Sequence, residues 1–166
     1  MREIQIKNLR EYVELIPLLA KWHFQQWNDM TGASSENSYR ELLSKHTTSQ
    51  SLPTTLIALN SNILLGSVNI VKSDLDIRPE LMPWIAQLYV APEQRGKGIG
   101  SALVAAAIAQ TENLGFNTLY LYTSGTLPAY YEPLGWTTRE TLHYKGKDRV
   151  VMEIKLPVNK GNTADR

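Results

Sequence analysis

The sequence contains no cysteine among its 166 residues. Disulfide bonds, thiolate metal sites and a cysteine nucleophile are therefore excluded. It also lacks an excess of charge of either sign, because 17 Lys and Arg residues stand against 16 Asp and Glu residues. No basic block stands out along the chain, which disfavours nucleic acid as the primary partner.

Long apolar runs are absent as well. No stretch approaches the roughly 18 to 20 apolar residues that span a bilayer, so we expect no membrane partner. The first fifteen residues have neither the apolar segment nor the cleavage pattern of a signal peptide, and we expect a cytoplasmic protein. The three histidines are scattered along the sequence without a carboxylate cluster, so we expect no metal site.

The composition is that of an ordinary globular protein. Apolar residues make up 43% of the chain and charged residues 20%. The length is sufficient for one hydrophobic core, and no internal repeat or linker divides it. We therefore predict a single domain over residues 1–157, followed by a flexible C-terminal tail over residues 158–166.

The most informative stretch reads as a strand, a glycine-rich turn and a helix. Residues 84–90 alternate in the manner of a pleated strand, and Pro92 ends it because proline fixes φ and lacks a backbone donor. Glycines follow at positions 96, 98 and 100, and the next residues, rich in alanine, have helical spacing. A glycine turn before a helix N-terminus binds anions, most naturally a phosphate or pyrophosphate.

Spacing excludes two common phosphate-binding motifs here. The dinucleotide fingerprint G-x-G-x-x-G fails, because its third glycine position is Ser101 when counted from Gly96 and Leu103 when counted from Gly98. The P-loop pattern G-x-x-x-x-G-K-[ST] fails too, since Lys97 is followed by Gly98. The pattern that fits is R-x-x-G-x-G, at Arg95, Gly98 and Gly100.

This pattern resembles motif A of the GNAT superfamily of acyl-CoA-dependent N-acyltransferases, written Q/R-x-x-G-x-G/A. Residues 128–136 resemble the same family's motif B, F-Y-x-x-x-G-F, with Tyr131 at the tyrosine and Gly135 and Trp136 as the final pair. In that motif Tyr130 takes the aromatic packing position. Together the two motifs cover about the last half of the chain.

The resemblance implies an α+β fold. It predicts the GNAT fold, a mixed and mostly antiparallel sheet of six to seven strands flanked by about four helices and splayed between strands four and five. The rest of the pattern agrees with this plan: residues 9–27 have a helical face, with Pro17 dividing or kinking it, and residues 54–59 and 63–71 read as a hairpin, with Gly66 marking a bulge.

The resemblance also implies a cofactor, acetyl-CoA, as acyl donor. Its pyrophosphate would bind the turn amides, and its pantetheine arm would pair with the backbone of the fourth strand. The predicted cofactor-binding residues are Leu88, Tyr89, Val90, Arg95, Gly96, Lys97, Gly98, Ile99, Gly100, Ser101 and Ser124. A backbone amide at or near Val90 would polarise the thioester carbonyl.

Tyr131 is the predicted catalytic residue, as general acid to the leaving thiolate. A phenol of pKa about 10 and a thiol of about 8.5 are close enough for proton donation. The alternative is that Tyr131 is a half-buried aromatic anchor with its hydroxyl in water. The general base stays open, because Trp84 occupies the position where some relatives have glutamate. The candidates are His143, Glu132, His23 and the pair Asp74 and Asp76, and bulk water.

The acceptor is predicted to be a primary amine of a small molecule or peptide. The predicted substrate residues are Trp22, Trp27, Trp84 and Gln87. The oligomeric state expected is monomer or homodimer. Two other functions compete with the acetyltransferase: a non-catalytic module that binds or senses acyl-CoA, and an unrelated protein that binds nucleotide phosphates.

Overall fold

The computed structural model of this chain describes residues 3–31, 35–49 and 51–157, with side chains omitted for 28–31. The predicted tail, residues 158–166, lies outside the described residues. Contacts divide the chain into two compact units. The first comprises Met1–Ile70 and Gln87–Ala107, and the second comprises Val71–Ala86 and Ile108–Arg166.

The described part of the chain forms seven strands and four α-helices. The strands are β1 (Gln5–Asn8), β2 (Thr54–Asn60), β3 (Ile63–Val71), β4 (Trp84–Val90), β5 (Thr118–Thr123), β6 (Thr137–Tyr144) and β7 (Lys147–Lys155). The helices are α1 (Ile16–Thr31), α2 (Glu36–His46), α3 (Ile99–Asn113) and α4 (Pro128–Tyr131). Short 3-10 turns cover Leu9–Glu11, Val13–Leu15, Pro92–Gln94 and Glu132–Leu134.

The strands form one mixed sheet in the order β1-β2-β3-β4-β5-β7-β6. The pairs β1–β2, β2–β3, β5–β7 and β6–β7 are antiparallel. β4 and β5 are parallel, with Trp84 opposite Tyr120. The predicted fold class is thereby confirmed.

In the first unit, α1 and α2 pack on β2 around an apolar cluster. Pro17 lies in the first turn of α1, where a missing N–H costs no helical hydrogen bond. The helical region predicted over residues 9–27 is therefore divided just before Ile16, where α1 begins. Ser35 caps α2 by accepting a hydrogen bond from the Ser38 N–H at 3.2 Å. The cluster includes Leu9, Leu19, Leu43, Ile57 and Leu59.

Gly66 permits the close approach of β3 to β4. A Cβ atom at this position would lie 2.5 Å from the carbonyl oxygen of Tyr89 and 3.2 Å from the Cα of Val90. The register of β2 and β3 shifts beside it, between Ala58 and Leu59, as the sequence predicts for a bulge. Because both nearby atoms are backbone, glycine is needed here to hold β4 at its distance from β3.

In the second unit, the core lies between β5, β7 and the segment leading into β4. Its buried members are Leu75, Leu81, Trp84, Tyr120 and Val151. In residues 3–31, 35–49 and 51–157, no helix is both long enough and apolar enough to cross a membrane.

Candidate active site

The glycine-rich turn after β4 is exposed and built from left-handed backbone. Gly96 and Gly98 have φ angles of +79° and +85°, a region that side chains with a Cβ rarely adopt. Open space surrounds the position where a Cβ would stand on either glycine. The reason for glycine here is therefore the turn itself, which lets a ligand approach the main chain.

α3 begins directly after this turn. The Ala102 N–H donates to the carbonyl of Gly98 at 3.1 Å, which starts the helical ladder. The amides of Ile99 and Gly100 come before that bond and so lie outside the ladder. These free N–H groups lie at the positive end of the helix macrodipole, which favours the binding of an anion.

Two cations accompany the turn. The Arg95 Nε–H donates to the carbonyl oxygen of Val90 at 2.7 Å, and the guanidinium lies 5.4 Å from the centre of the Tyr89 ring. Lys97 Nζ donates to Gln94 Oε1 at 3.3 Å. Arg95 thus ties the turn to the end of β4, and both side chains add positive charge beside the turn amides.

β4 has irregular backbone at Gln87. This residue has a φ angle of +54°, in the left-handed region that is uncommon for residues other than glycine. Its side chain is held by the Asn69 Nδ2–H, which donates to Gln87 Oε1 at 2.6 Å. This left-handed residue directly precedes Leu88, Tyr89 and Val90, the predicted partners of the pantetheine arm.

The aromatic residues of α1 pack on Tyr89. The rings of Trp22 and Trp27 lie 5.5 Å and 5.9 Å from the Tyr89 ring, and both tryptophans are half-buried. They keep a surface that a ligand can reach, and their contact with substrate stays a prediction.

Trp84 corrects one of the predictions. It is 0% exposed, its indole N–H donates to the carbonyl of Leu81 at 2.6 Å, and its ring packs 5.5 Å from Tyr120. The side chain is a core anchor of the second unit, not a residue that meets the substrate. The alternation of residue types predicts that Trp84 lies in a strand, but it does not reveal whether the side chain is buried in the core or reaches the surface.

His23, a candidate base, is 0% exposed. Burial, together with the nearby His46, lowers its pKa to about 3. Its Nε2 lies 3.1 Å from Ser67 Oγ, within hydrogen-bond distance. An imidazole of such low basicity cannot take a proton from an ammonium group, so His23 serves in packing.

In the second unit, Tyr131 ends α4 and is 9% exposed. Its ring lies 5.0 Å from Tyr130 and 6.1 Å from Trp136. Burial raises the pKa of the Tyr131 phenol to about 12, so the hydroxyl keeps its proton through the physiological range. Tyr130 is 39% exposed, which corrects its predicted packing position.

Ser124 begins the loop between β5 and α4. It is half-buried, and its carbonyl accepts a hydrogen bond from the Leu127 N–H at 3.3 Å. Its predicted contact with the cofactor stays a prediction.

Asp74 has the most perturbed carboxyl of the second unit. Burial raises its pKa from 3.8 to about 7, an effect that Lys145 partly opposes. The pKa of Tyr122 is raised to about 12, by burial first and then by the charge of Asp74. Next to this pair, the Tyr144 hydroxyl donates to Asp76 Oδ1 at 2.9 Å.

The other candidate bases have different surroundings. His143 is 67% exposed at its side chain and lies 3.0 Å from a carboxylate oxygen of Asp148. Glu132 is exposed. No group of three or more metal-ligating side chains occurs among residues 3–31, 35–49 and 51–157.

Comparison with known proteins decides the family. A family model described as the acetyltransferase (GNAT) family matches residues 16–136. This chain belongs to that family. It is therefore a GNAT N-acetyltransferase, and the predicted resemblance to that family is confirmed. A comparison with curated protein sequences gives no match.

Solved structures share the fold at low sequence identity. yncA from Salmonella typhimurium, solved with its cofactor acetyl-CoA, has a TM-score of 0.74 at 12% identity, covering 98% of this chain and 99% of that one. An aminoglycoside 6'-N-acetyltransferase complexed with coenzyme A has a TM-score of 0.73 at 18% identity, covering 94% and 99%. A spermidine N-acetyltransferase SpeG chimera from Vibrio cholerae and hSSAT has a TM-score of 0.67 at 21% identity, covering 92% and 95%.

Proposed function

We propose that this GNAT acetyltransferase moves the acetyl group of acetyl-CoA to a primary amine of a small molecule or peptide by direct attack. The observation that carries the proposal is the exposed turn of Gly96 and Gly98, followed at once by the N-terminus of α3. Backbone amides in that arrangement suit a pyrophosphate. Relatives in fold were solved with coenzyme A and with acetyl-CoA, which supports this choice of donor.

In this proposal the amides of residues 95–101 bind the pyrophosphate. The backbone of Leu88, Tyr89 and Val90 pairs with the pantetheine arm, and a main-chain amide at or near Val90 stabilises the oxyanion of the tetrahedral intermediate. Tyr131 donates a hydrogen bond to the departing thiolate. The bond formed is between the amine nitrogen and the acetyl carbon, and the bond broken is that carbon to sulfur.

The amine must lose a proton to attack, and Asp74 is the candidate base that the structure favours. A base works best when its pKa is near the operating pH, and that of Asp74 is raised to about 7. The pKa of His23, at about 3, is too low for this task. The acceptor class fits two relatives whose names state an amine substrate, an aminoglycoside and spermidine.

Acetyl-CoA should release free thiol when the protein is given a panel of amines that holds aminoglycosides, polyamines, amino acid amides and short peptides. The measurement is thiol release, followed by mass spectrometry of the acetylated product. Gly98→Asp is the negative control, because it adds a side chain to left-handed backbone and a negative charge at the proposed position of the pyrophosphate. Coenzyme A affinity from calorimetry should fall at least tenfold in that variant.

Tight coenzyme A binding with no turnover of any amine would favour the non-catalytic acyl-CoA module instead. Stronger binding of ATP or NAD than of coenzyme A would favour a nucleotide-phosphate protein. Either result would overturn the proposed acetyl transfer.

Asp74→Asn should lower kcat/KM for the amine about tenfold at pH 7. This loss is smaller than the hundredfold or more that removal of a general base usually causes, because water can also accept the proton. A base must be deprotonated, so the wild-type kcat/KM should fall as pH drops below about 7, the raised pKa of Asp74. In the variant the part of this acid limb that titrates near pH 7 should be lost, and kcat/KM should follow only the ionisation of the amine substrate. Asp76→Asn is the matched control, and an unaltered acid limb in Asp74→Asn would remove Asp74 from the role.

A further inference from the structure

A chain of polar side chains connects α2 to Gln87 of β4 through the inside of the first unit. His46 Nδ1 lies 3.0 Å from Thr55 Oγ1, and the Thr55 hydroxyl donates to Asn69 Oδ1 at 2.8 Å. Asn69 Nδ2–H then donates to Gln87 Oε1 at 2.6 Å. His46, Thr55 and Asn69 are 3%, 0% and 1% exposed. The chain therefore links three buried side chains to one half-buried residue, Gln87.

The hydrogen bonds of this chain run in one direction. The Thr55 hydroxyl has a single hydrogen, which goes to Asn69, so Thr55 accepts from the Nδ1–H of His46. Burial lowers the pKa of His46 to about 4, so its ring is neutral and keeps one N–H for this bond. At the end of the chain Gln87 has its carbonyl oxygen occupied. Its two Nε2 hydrogens are left for another partner, since the described residues offer them none.

Packing alone does not account for this arrangement. Thr55 and Asn69 are opposite one another on β2 and β3, where valine and leucine would fill similar volumes without polar atoms. Buried polar networks are stabilising only when every member is satisfied, and apolar residues are the simpler choice. Gln87 moreover has left-handed backbone, a local strain that persists where its surroundings hold it and that clusters at functional sites.

We propose that Gln87 is a specificity-determining residue whose side-chain N–H donates to an oxygen of the acceptor substrate, and that His46, Thr55 and Asn69 are positioning residues that hold it. The inference rests on the proposed function. Gln87 directly precedes Leu88, Tyr89 and Val90, the strand assigned to the pantetheine arm, so its partner oxygen is near the reacting amine. The acceptor class is an amine with a neighbouring carbonyl or hydroxyl oxygen, such as an amino acid amide, a peptide N-terminus or an amino sugar.

Gln87→Glu tests the contact with the substrate. Glutamate keeps the shape and still accepts from Asn69, but it presents an oxygen where glutamine presents N–H. The probes are glycinamide and ethylenediamine, which differ only in that the carbonyl of the first is a methylene in the second, so that the amide becomes an amine. Wild type should prefer glycinamide. In the variant, kcat/KM for glycinamide should fall at least tenfold, while kcat/KM for ethylenediamine should stay the same or rise.

A wild type that turns over diamines and not glycinamide, or a variant that keeps its preference for glycinamide, would overturn the inference. Absence of turnover with every amine would refute the proposed function itself, so the two failures are distinguishable. The KM for acetyl-CoA should stay within about threefold in Gln87→Glu, which separates an acceptor contact from a disturbed β4.

Thr55→Val tests the positioning chain. Valine has the shape of threonine without the hydroxyl, so the link between His46 and Asn69 is cut. We expect the KM for glycinamide to rise about tenfold, and we expect no further rise when Thr55→Val is added to Gln87→Ala. Ser67→Ala is the matched control, because it removes a buried hydroxyl next to His23 on the same face of β3.

Additive effects of Thr55→Val and Gln87→Ala would overturn the positioning role. So would an equal rise in KM in Ser67→Ala, since that would indicate a general loosening of the first unit. Thermal melts of all variants establish that each is folded under assay conditions.

Discussion

Tyr131→Phe should lower kcat about 100-fold while the dissociation constant of coenzyme A changes less than about threefold. Phenylalanine keeps the ring that lies 6.1 Å from Trp136 and removes only the hydroxyl. The loss should therefore fall on the step in which the thiolate departs. Steady-state kinetics and calorimetry with coenzyme A measure the two quantities.

The burial of Tyr131 changes how its hydroxyl can act. A phenol with a pKa of about 12 differs from a thiol of about 8.5 by roughly 3.5 units, so complete proton transfer is uphill by about 5 kcal/mol if the thiol is in water. A buried thiolate also has a raised pKa, which narrows the gap. We therefore expect Tyr131 to stabilise the thiolate by a charge-assisted hydrogen bond, with the proton crossing as the carbon–sulfur bond breaks.

The pH dependence of kcat that Tyr131 causes should have a definite sign. A general acid must be protonated, and a raised pKa moves its loss of function to higher pH. No fall in kcat due to Tyr131 should occur below about pH 10. Tyr130→Phe is the matched control, because it removes a hydroxyl from the neighbouring ring, which is 39% exposed, and it should keep kcat near that of wild type. Equal losses of kcat and cofactor affinity in Tyr131→Phe would instead indicate a packing role.

Lowering the pH from 7.5 to 5 should decrease the free energy of unfolding by about 4 kcal/mol through His23 and His46. In the folded protein the pKa values of these histidines are lowered to about 3 and about 4. Burial is the main cause for both. In the unfolded chain each would titrate near 6.5.

The sign follows from proton counts. Between about pH 6.5 and pH 4 the unfolded chain binds protons on both histidines and the folded protein does not. Stability is therefore fully present above pH 6.5 and is lost as the pH falls through this window. Each histidine contributes about 2 kcal/mol of that loss at pH 5.

Urea denaturation at several pH values measures this effect. His46→Gln should remove about half of the pH dependence, whatever it does to stability at pH 7.5. His143→Gln is the matched control, because the imidazole of His143 is 67% exposed. In this variant the pH dependence of the free energy of unfolding that is due to His23 and His46 should persist. A wild-type stability that is flat between pH 7 and pH 5 would show that the two histidines are not buried as neutral groups.

Much of the fold was predictable from local sequence. β4 covers Trp84–Val90 as predicted, and α3 begins at Ile99 after the glycine turn. These elements were predictable because proline and glycine act on the backbone of their own neighbourhood. The position of β7 between β5 and β6 was not, because strand order depends on contacts between segments that are distant in the chain.

The site residues divide in the same way. The turn at Gly96 and Gly98 follows from spacing, whereas Trp84 was wrongly predicted to meet the substrate, since periodicity does not reveal which face of a central strand is covered. The chain from His46 to Gln87 had no sequence signal at all. Its members are 9, 14 and 18 residues apart. They meet because α2 packs on β2 and because β2, β3 and β4 are neighbours in the sheet.

The amino-acid sequence by itself determined the family and the glycine-rich turn, because both depend on residues within a few positions of one another. The tertiary structure alone decided which polar groups are buried, and hence the pKa values of Tyr131, Asp74, His23 and His46. Desolvation is a property of all the surrounding atoms, and those atoms come from parts of the chain that no local pattern connects.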